Sequence, residues 1–221
     1  MPAGYGEAYK HRHLSHLHAA YEANGELTPE KTPQLWRAAQ EATQRRIDSG
    51  GERSSHGRVH MGLAAAYLRL GEEAYGRVAV MATGKSMYPS LMCAHEPDQR
   101  IYNVDANGAI PEIVNRMLVG SQVGTLDLLP ALPAALPAGS IRGILARGQI
   151  RIDLLSWDQK ARTLHLELTS AIEQTVLLRV PGIDGVKTIR SSSIPFQRMP
   201  AANSVEARLP AGRKVTVDIA W

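Results

Sequence analysis

A single cysteine, Cys93, is all the thiol chemistry in this chain, which excludes an internal disulfide framework and a cysteine-based metal cluster. Aromatic residues make up only 5% of the sequence, and lysine and arginine nowhere form a long run. Without a basic patch interleaved with rings that could stack on bases, the net charge of +4 reads as mild basicity and not as a nucleic-acid surface. No apolar run is long enough to cross a bilayer, so no membrane partner is expected. The first residues, Met1 to Glu7, lack a basic stretch leading into an apolar one, and no signal peptide is visible. No internal repeat of solenoid period occurs. What remains is a chain of 221 residues with 44% hydrophobic content, enough for one large domain or two small ones.

The hydrophobic pattern changes period along the chain. In the first part it is helical. Thr32 followed by Pro33 is a good cap and first-turn pair, and Leu35, Ala38, Ala39, Ala42 and Ile47 then mark one face up to Ser49 and Gly50. A second helix is expected to carry Val59, Leu63, Ala66, Tyr67 and Leu70, broken by Gly71. A third runs from about Glu72 to Met81, with Ala74, Val78 and Met81 inward. The methionines at 61, 81, 87 and 92 read as core filler. Residues 84–104 show little periodicity, and long irregular loops inside compact domains tend to be functional. A helix is expected from Pro111 to about Val119. Between Leu126 and Pro137 three prolines forbid a regular element, while the leucines demand burial, which predicts a packed strap along the helical part.

From Ser140 onward the period is two. Ile150, Ile152 and Leu154 alternate with polar residues, as do Leu164, Leu166 and Leu168, then Val176, Leu178 and Val180, and finally Val215, Val217 and Ile219. Turns are expected near Asp158–Lys160, Pro181 and Pro210–Gly212. Strands at this spacing make an antiparallel sheet or sandwich. The helical part is therefore expected to end, and the β part to begin, near residues 137–141.

Two stretches carry candidate chemistry. Asp105 lies in a polar turn of small residues, Tyr102 to Pro111, just ahead of the expected helix. A carboxylate at a helix mouth is either a cap or a catalytic base held ionised and aimed by local amides. Four of the eight histidines fall at 11, 13, 16 and 18. They read as a ligand-free surface cluster or as a polar wall that hydrogen-bonds sugar hydroxyls. A metal site is disfavoured, because no His-Glu-x-x-His pattern or nearby matched carboxylate accompanies them.

Four segments together resemble glycoside hydrolase family 95, the α-L-fucosidase family. His11-Arg12-His13-Leu14-Ser15-His16-Leu17 is similar to the family's His-Arg-His-x-Ser-His-Leu motif. Tyr102-Asn103-Val104-Asp105-Ala106-Asn107 is similar to its Phe-Gln-Ile-Asp-Gly-Asn. Leu128 to Pro133 and Gly139 to Gly148 resemble two further motifs, in the family's order. The resemblance covers roughly residues 10–180.

It implies a fold of the last helices of an (α/α)6 toroid followed by an antiparallel β-sandwich, with a partial catalytic domain at 1–138 and a β-sandwich domain at 139–221. It implies inverting hydrolysis of terminal α-L-fucosides of oligosaccharides, with no cofactor. A relative acting on another sugar such as an α-L-galactoside, and a non-catalytic carbohydrate-binding module, are the alternatives. Inverting chemistry needs a general acid on the leaving oxygen and a base that activates water on the opposite face, their carboxyls about 6.5–9.5 Å apart. By the resemblance Asp105 takes the base side, and Arg12, His13, His16 and Asn107 line the sugar pocket. The family's general-acid glutamate lies upstream of the histidine motif, so this chain alone is expected to be inactive. Ala106 replaces the motif's glycine, and about Gly57-Arg58-Val59 the family's Gly-Trp-Ser segment has no tryptophan counterpart. Family relatives meet their glycans outside the cytoplasm, which implies an exported parent protein.

Overall fold

The computed structural model describes residues 11, 13–23, 25–50, 52–98, 101–181, 185–191, 193–198 and 204–221. The chain divides into two compact units, Met1–Val114 and Asn115–Trp221. The first is helical and the second is built from strands, as the change of period requires.

In the first unit a 3-10 turn, Ser15–Leu17, leads into the short helix α1, His18–Tyr21. Helix α2, Pro33–Asp48, starts where Thr32 and Pro33 place it. The Thr28 N–H donates to Thr32 Oγ1, and that hydroxyl donates back to the Thr28 carbonyl, which locks the turn before the helix. Its buried stripe is Trp36, Thr43 and Arg46, with Ala39 half-buried, while Leu35 is 63% exposed and Ala38 is exposed. Of the expected face, Ala39, Ala42 and Ile47 pack half-buried against the core, while Leu35 and Ala38 point to solvent. Trp36 brings the largest apolar surface, and it enters a cluster with Ala20, Leu27, Ala64 and Leu68 that Leu35 cannot reach from the neighbouring position.

Helix α3, Ser55–Tyr67, is the centre of the unit. Ser54 caps it by accepting the Gly57 N–H at 3.2 Å. Val59, Met61, Gly62, Ala64, Ala65 and Ala66 are all buried, so almost no solvent face is left. Of the expected stripe, Val59 and Ala66 are buried and Leu63 and Tyr67 half-buried, so the buried surface is wider than one stripe. Small residues let its neighbours approach closely. A Cβ on Gly62 would stand 2.6 Å from Ile113 Cδ1. Gly71 does not break a helix here; it opens helix α4, Gly71–Thr83, after a turn in which Arg69 adopts φ 63°. Ala74 and Met81 are buried on α4.

Helix α5, Val104–Leu118, begins seven residues ahead of the expected Pro111 start and contains that proline. Asn103 is its cap, since Asn103 Oδ1 accepts the Ala106 N–H at 3.0 Å. With the start fixed there, Pro111 is accommodated inside the helix, where it has no N–H to offer the Asn107 carbonyl.

Strands begin at Val119, well ahead of the expected change at 137–141. The hairpin β1, Val119–Gln122, and β2, Thr125–Leu128, turns through Val123 and Gly124, the latter at φ 77°. Leu126 and Leu128 point inward from β2, so the first part of the proline-rich segment is a strand of the second unit and not a strap on the helices. The remainder, with Leu129 and Ala131 buried, is fastened by backbone bonds to Leu118 and Met117.

The following strands are β3 Ala138–Ile141, β4 Ile144–Ala146, β5 Ile150–Asp158, β6 Thr163–Ser170, β7 Gln174–Arg179, β8 Thr188–Arg190, β9 Phe196–Arg198, β10 Ser204–Leu209 and β11 Lys214–Ala220. One sheet has the order β1-β2-β7-β10-β9, the other β3-β5-β6-β11-β8 with β4 beside β5. All pairings are antiparallel except β2 with β7. There the Arg179 guanidinium donates to both Asp127 carboxylate oxygens, at 2.5 and 3.0 Å. Alternate residues of β5, β6, β7, β10 and β11 form the core of a β-sandwich. Leu154, expected inward, is displaced by a bulge between Ile152 and Leu154, and Leu155 takes its place at 0% exposure.

Candidate functional site

The site is assembled in the helical unit by two helix starts. Asp105 sits in the first turn of α5, with its side chain 66% exposed. Asn103 supplies the cap, so Asp105 is left free of that duty. Its Oδ2 lies 3.1 Å from Nδ1 of His56, in the first turn of α3. A carboxylate only accepts, so the ring nitrogen donates.

Both helix starts are tied to one residue, His95, in the connection before α5. The Ser55 N–H donates to the His95 carbonyl at 2.8 Å, and Asn103 Nδ2 lies 3.1 Å from His95 Nδ1. Two bridges, Met87 with Cys93 and Ala94 with Tyr102, and the Asn103 N–H on the Cys93 carbonyl give this connection its shape. Cys93 is buried, which pushes its thiol up from the ordinary value. Asn107 works in the same framework. Its Oδ1 accepts the Cys93 N–H at 2.8 Å and its Nδ2 donates to the Leu91 carbonyl at 2.9 Å. The side chain expected to line the sugar pocket therefore has both ends engaged with the loop.

A row of rings continues from His56. Its centroid is 4.2 Å from that of His60, one helical turn on, and 5.4 Å from that of His13. His13 lies 5.1 Å from His11, and Tyr21 stacks on His60 at 4.8 Å with the planes 8° apart. Burial pushes the His60 imidazole below its ordinary value; His56 and His13 add to that, while Asp105 and Glu22 oppose it. The histidine-bearing segment reaches this place because Leu14 and Leu17 are buried against Met61. The buried Arg46 guanidinium also donates to the backbone carbonyls of His11 and, at 3.4 Å, His13.

Of the residues singled out in the sequence, the structure thus brings His13 and Asp105 to a common neighbour, His56. His16 lies exposed in the 3-10 turn, and Arg12 lies outside the described residues. His56, His60 and Tyr21 were missed. A signal existed, since histidines four apart share one helix face. Among the described residues no group of three or more His, Cys, Asp or Glu could hold a metal ion, and no helix is long and apolar enough to cross a membrane.

A second ionisable group, Glu52, interacts electrostatically with His56. Burial raises the Glu52 carboxyl above its ordinary value, against the attraction of Arg46, Arg77, Arg58 and His56. Neither of its oxygens has a hydrogen-bond partner among the described residues.

Comparison with known proteins gives a consistent result. The family model described as the glycosyl hydrolase family 95 catalytic domain matches residues 5–118, and that for the family 95 C-terminal domain matches residues 120–221. The chain is also similar to the curated protein "Alpha-L-fucosidase 2" of Arabidopsis thaliana, with 31% identity over 157 residues. That match covers 65% of this chain and 17% of the relative's length.

Proposed function

Because the chain belongs to glycosyl hydrolase family 95, we propose that it supplies the water-activating side of an inverting active site that hydrolyses terminal α-L-fucosides. Asp105 is the base in this reading. The observation that carries it is the pairing of an exposed carboxylate with the His56 ring at 3.1 Å, inside the segment matched by the catalytic model.

The chemistry follows from the charge and the placement. A base on the far face of the sugar must be ionised, aimed and open to a water molecule. One carboxylate oxygen of Asp105 is engaged by an imidazole N–H, and the exposed side chain leaves the group accessible. His13 and His60, with their directional ring nitrogens, would bind the hydroxyls of the glycan, and the Tyr21 face would contact its apolar side. Arg12 and His16 keep the sugar-binding roles that the family motif suggests. Asn107 acts on the sugar only through the loop it holds. The general acid is assigned to no glutamate of this chain. The match spans 17% of the curated relative's length, and the rest of that protein lies outside it. A terminal α-L-fucoside is the substrate that fits the name of the curated relative.

The test is release of fucose from a 2′-fucosylated oligosaccharide, measured for this chain and for the full-length protein. Activity confined to the longer form, and lost in Asp105→Asn with an unchanged melting curve, is the expected result. Full turnover by Asp105→Asn would remove Asp105 from the base role. Cleavage of another aryl glycoside in preference to the fucoside would replace the substrate.

A further inference from the structure

We propose that His56 is a positioning residue for Asp105: its imidazole fixes the carboxylate in the orientation from which it activates water. This rests on the reading of Asp105 as the base.

The contact is imposed by the framework on both sides. His56 stands in the first turn of α3, whose start is set by the Ser54 cap and by the Ser55 N–H on the His95 carbonyl. Asp105 stands in the first turn of α5, whose start is set by the Asn103 cap, and Asn103 is in turn bonded to His95. Two helices anchored on one residue hold the ring and the carboxylate together although 49 positions separate them in the chain. The close approach of α5 to α3 at Gly62 and Ile113 holds the helices together further along.

The ring itself has little freedom. His60 packs edge-on against it at 4.2 Å and His13 at 5.4 Å, and its side chain is 20% exposed against 66% for Asp105. Its second nitrogen, Nε2, is buried without a hydrogen-bond partner among the described residues. The bond to Asp105 is thus the polar contact that the half-buried ring makes among the described residues, and it reaches outward to an exposed group. A freely rotating first-turn aspartate would sample several rotamers, and misplacing a reacting group by about 1 Å costs on the order of a hundredfold in rate. An imidazole held on one oxygen removes that freedom and leaves the other oxygen for water.

The experiment compares the full-length wild-type protein with His56→Leu, His56→Gln and Asp105→Asn on an aryl α-L-fucoside. His56→Leu is expected to lose about a hundredfold in kcat with KM little changed. His56→Gln, which retains an N–H donor, is expected to recover part of that loss. The double variant His56→Leu/Asp105→Asn is expected to be no worse than Asp105→Asn alone. Wild-type kcat in a folded His56→Leu, with Asp105→Asn inactive, overturns the positioning role and leaves the base assignment intact. An active Asp105→Asn, or a full-length protein inactive on every aryl glycoside, overturns both. Nuclear magnetic resonance of the ring N–H groups gives a readout independent of turnover, and the wild-type spectrum does not depend on the folding of any variant. A protected His56 Nδ1–H signal that is lost in Asp105→Ala is expected, and its absence from the wild-type chain overturns the contact.

Discussion

At the scale of single residues, the helical unit shows how much polar chemistry a small core can hold. Arg46 is buried on α2, yet it serves the backbone of the histidine segment, so its cost in desolvation is offset by charge-assisted bonds to carbonyl groups. Glu52 is the opposite case. Its carboxyl is held above its ordinary value by burial, which outweighs the nearby arginines. A group of this kind binds its proton more tightly in the folded chain than in the unfolded one. Its contribution to stability is therefore greatest below the ordinary glutamate value of 4.5 and is lost as pH rises through the folded value. Glu52→Gln is expected to match the wild type in thermal melts at about pH 4 and to melt higher at about pH 7. A lower melting temperature for the variant at the higher pH would show that the arginines need the charge more than the site resents it.

At the scale of elements, the start of α5 is the decisive feature, because it decides where Asp105 points. Asn103 is 5% exposed and makes four bonds: its Oδ1 caps the helix, its Nδ2 meets His95, its backbone N–H meets the Cys93 carbonyl, and its carbonyl accepts the Asn107 N–H. Removing a cap of this type costs about 0.5–2 kcal/mol. Asn103→Ala is expected to lose at least the upper part of that range in urea denaturation, because the His95 link goes with it. An unchanged midpoint would mean that the loop bonds, and not the cap, fix the helix start. The same logic separates the two asparagines of this motif. Asn103 orders the helix and Asn107 orders the loop, so both act on Asp105 through backbone placement.

At the scale of the whole molecule, the apolar surface beside the site stands out. Leu91, Ile101, Tyr102 and Val104 are 70, 59, 67 and 74% exposed, and all lie in or next to the connection that leads into α5. Neighbouring exposed apolar side chains of this size mark surfaces that associate. The chain is expected to self-associate as its concentration rises in sedimentation velocity runs, and Ile101→Ser/Val104→Ser is expected to weaken that association. A wild-type chain that sediments as a monomer at every concentration would show that these side chains are tolerated in water. Among the described residues the sandwich unit has fewer such exposures, Val123, Leu145 and Ile172, and these sit on or near its turns and edges.

Several features of this protein were legible in the sequence because they are local. The switch from helical to alternating period located the two architectures, since side chains three to four apart share a helix face and those two apart share a strand face. Thr32 with Pro33 fixed the start of α2, and the alternation at Leu164–Leu168 and Val215–Ile219 gave β6 and β11. The alternation of Val205, Ala207 and Leu209 would have given β10 as well. The motif order identified the family. What the tertiary structure alone decided depends on partners distant in the chain. Trp36 and not Leu35 faces inward on α2 because the cluster around Leu27 and Leu68 accepts it there. The sheet begins at Val119 because β2 finds β7, with Arg179 closing on Asp127. Asp105 meets His56 because His95 anchors both helix starts, and no local pattern in the sequence records a contact made through a third residue.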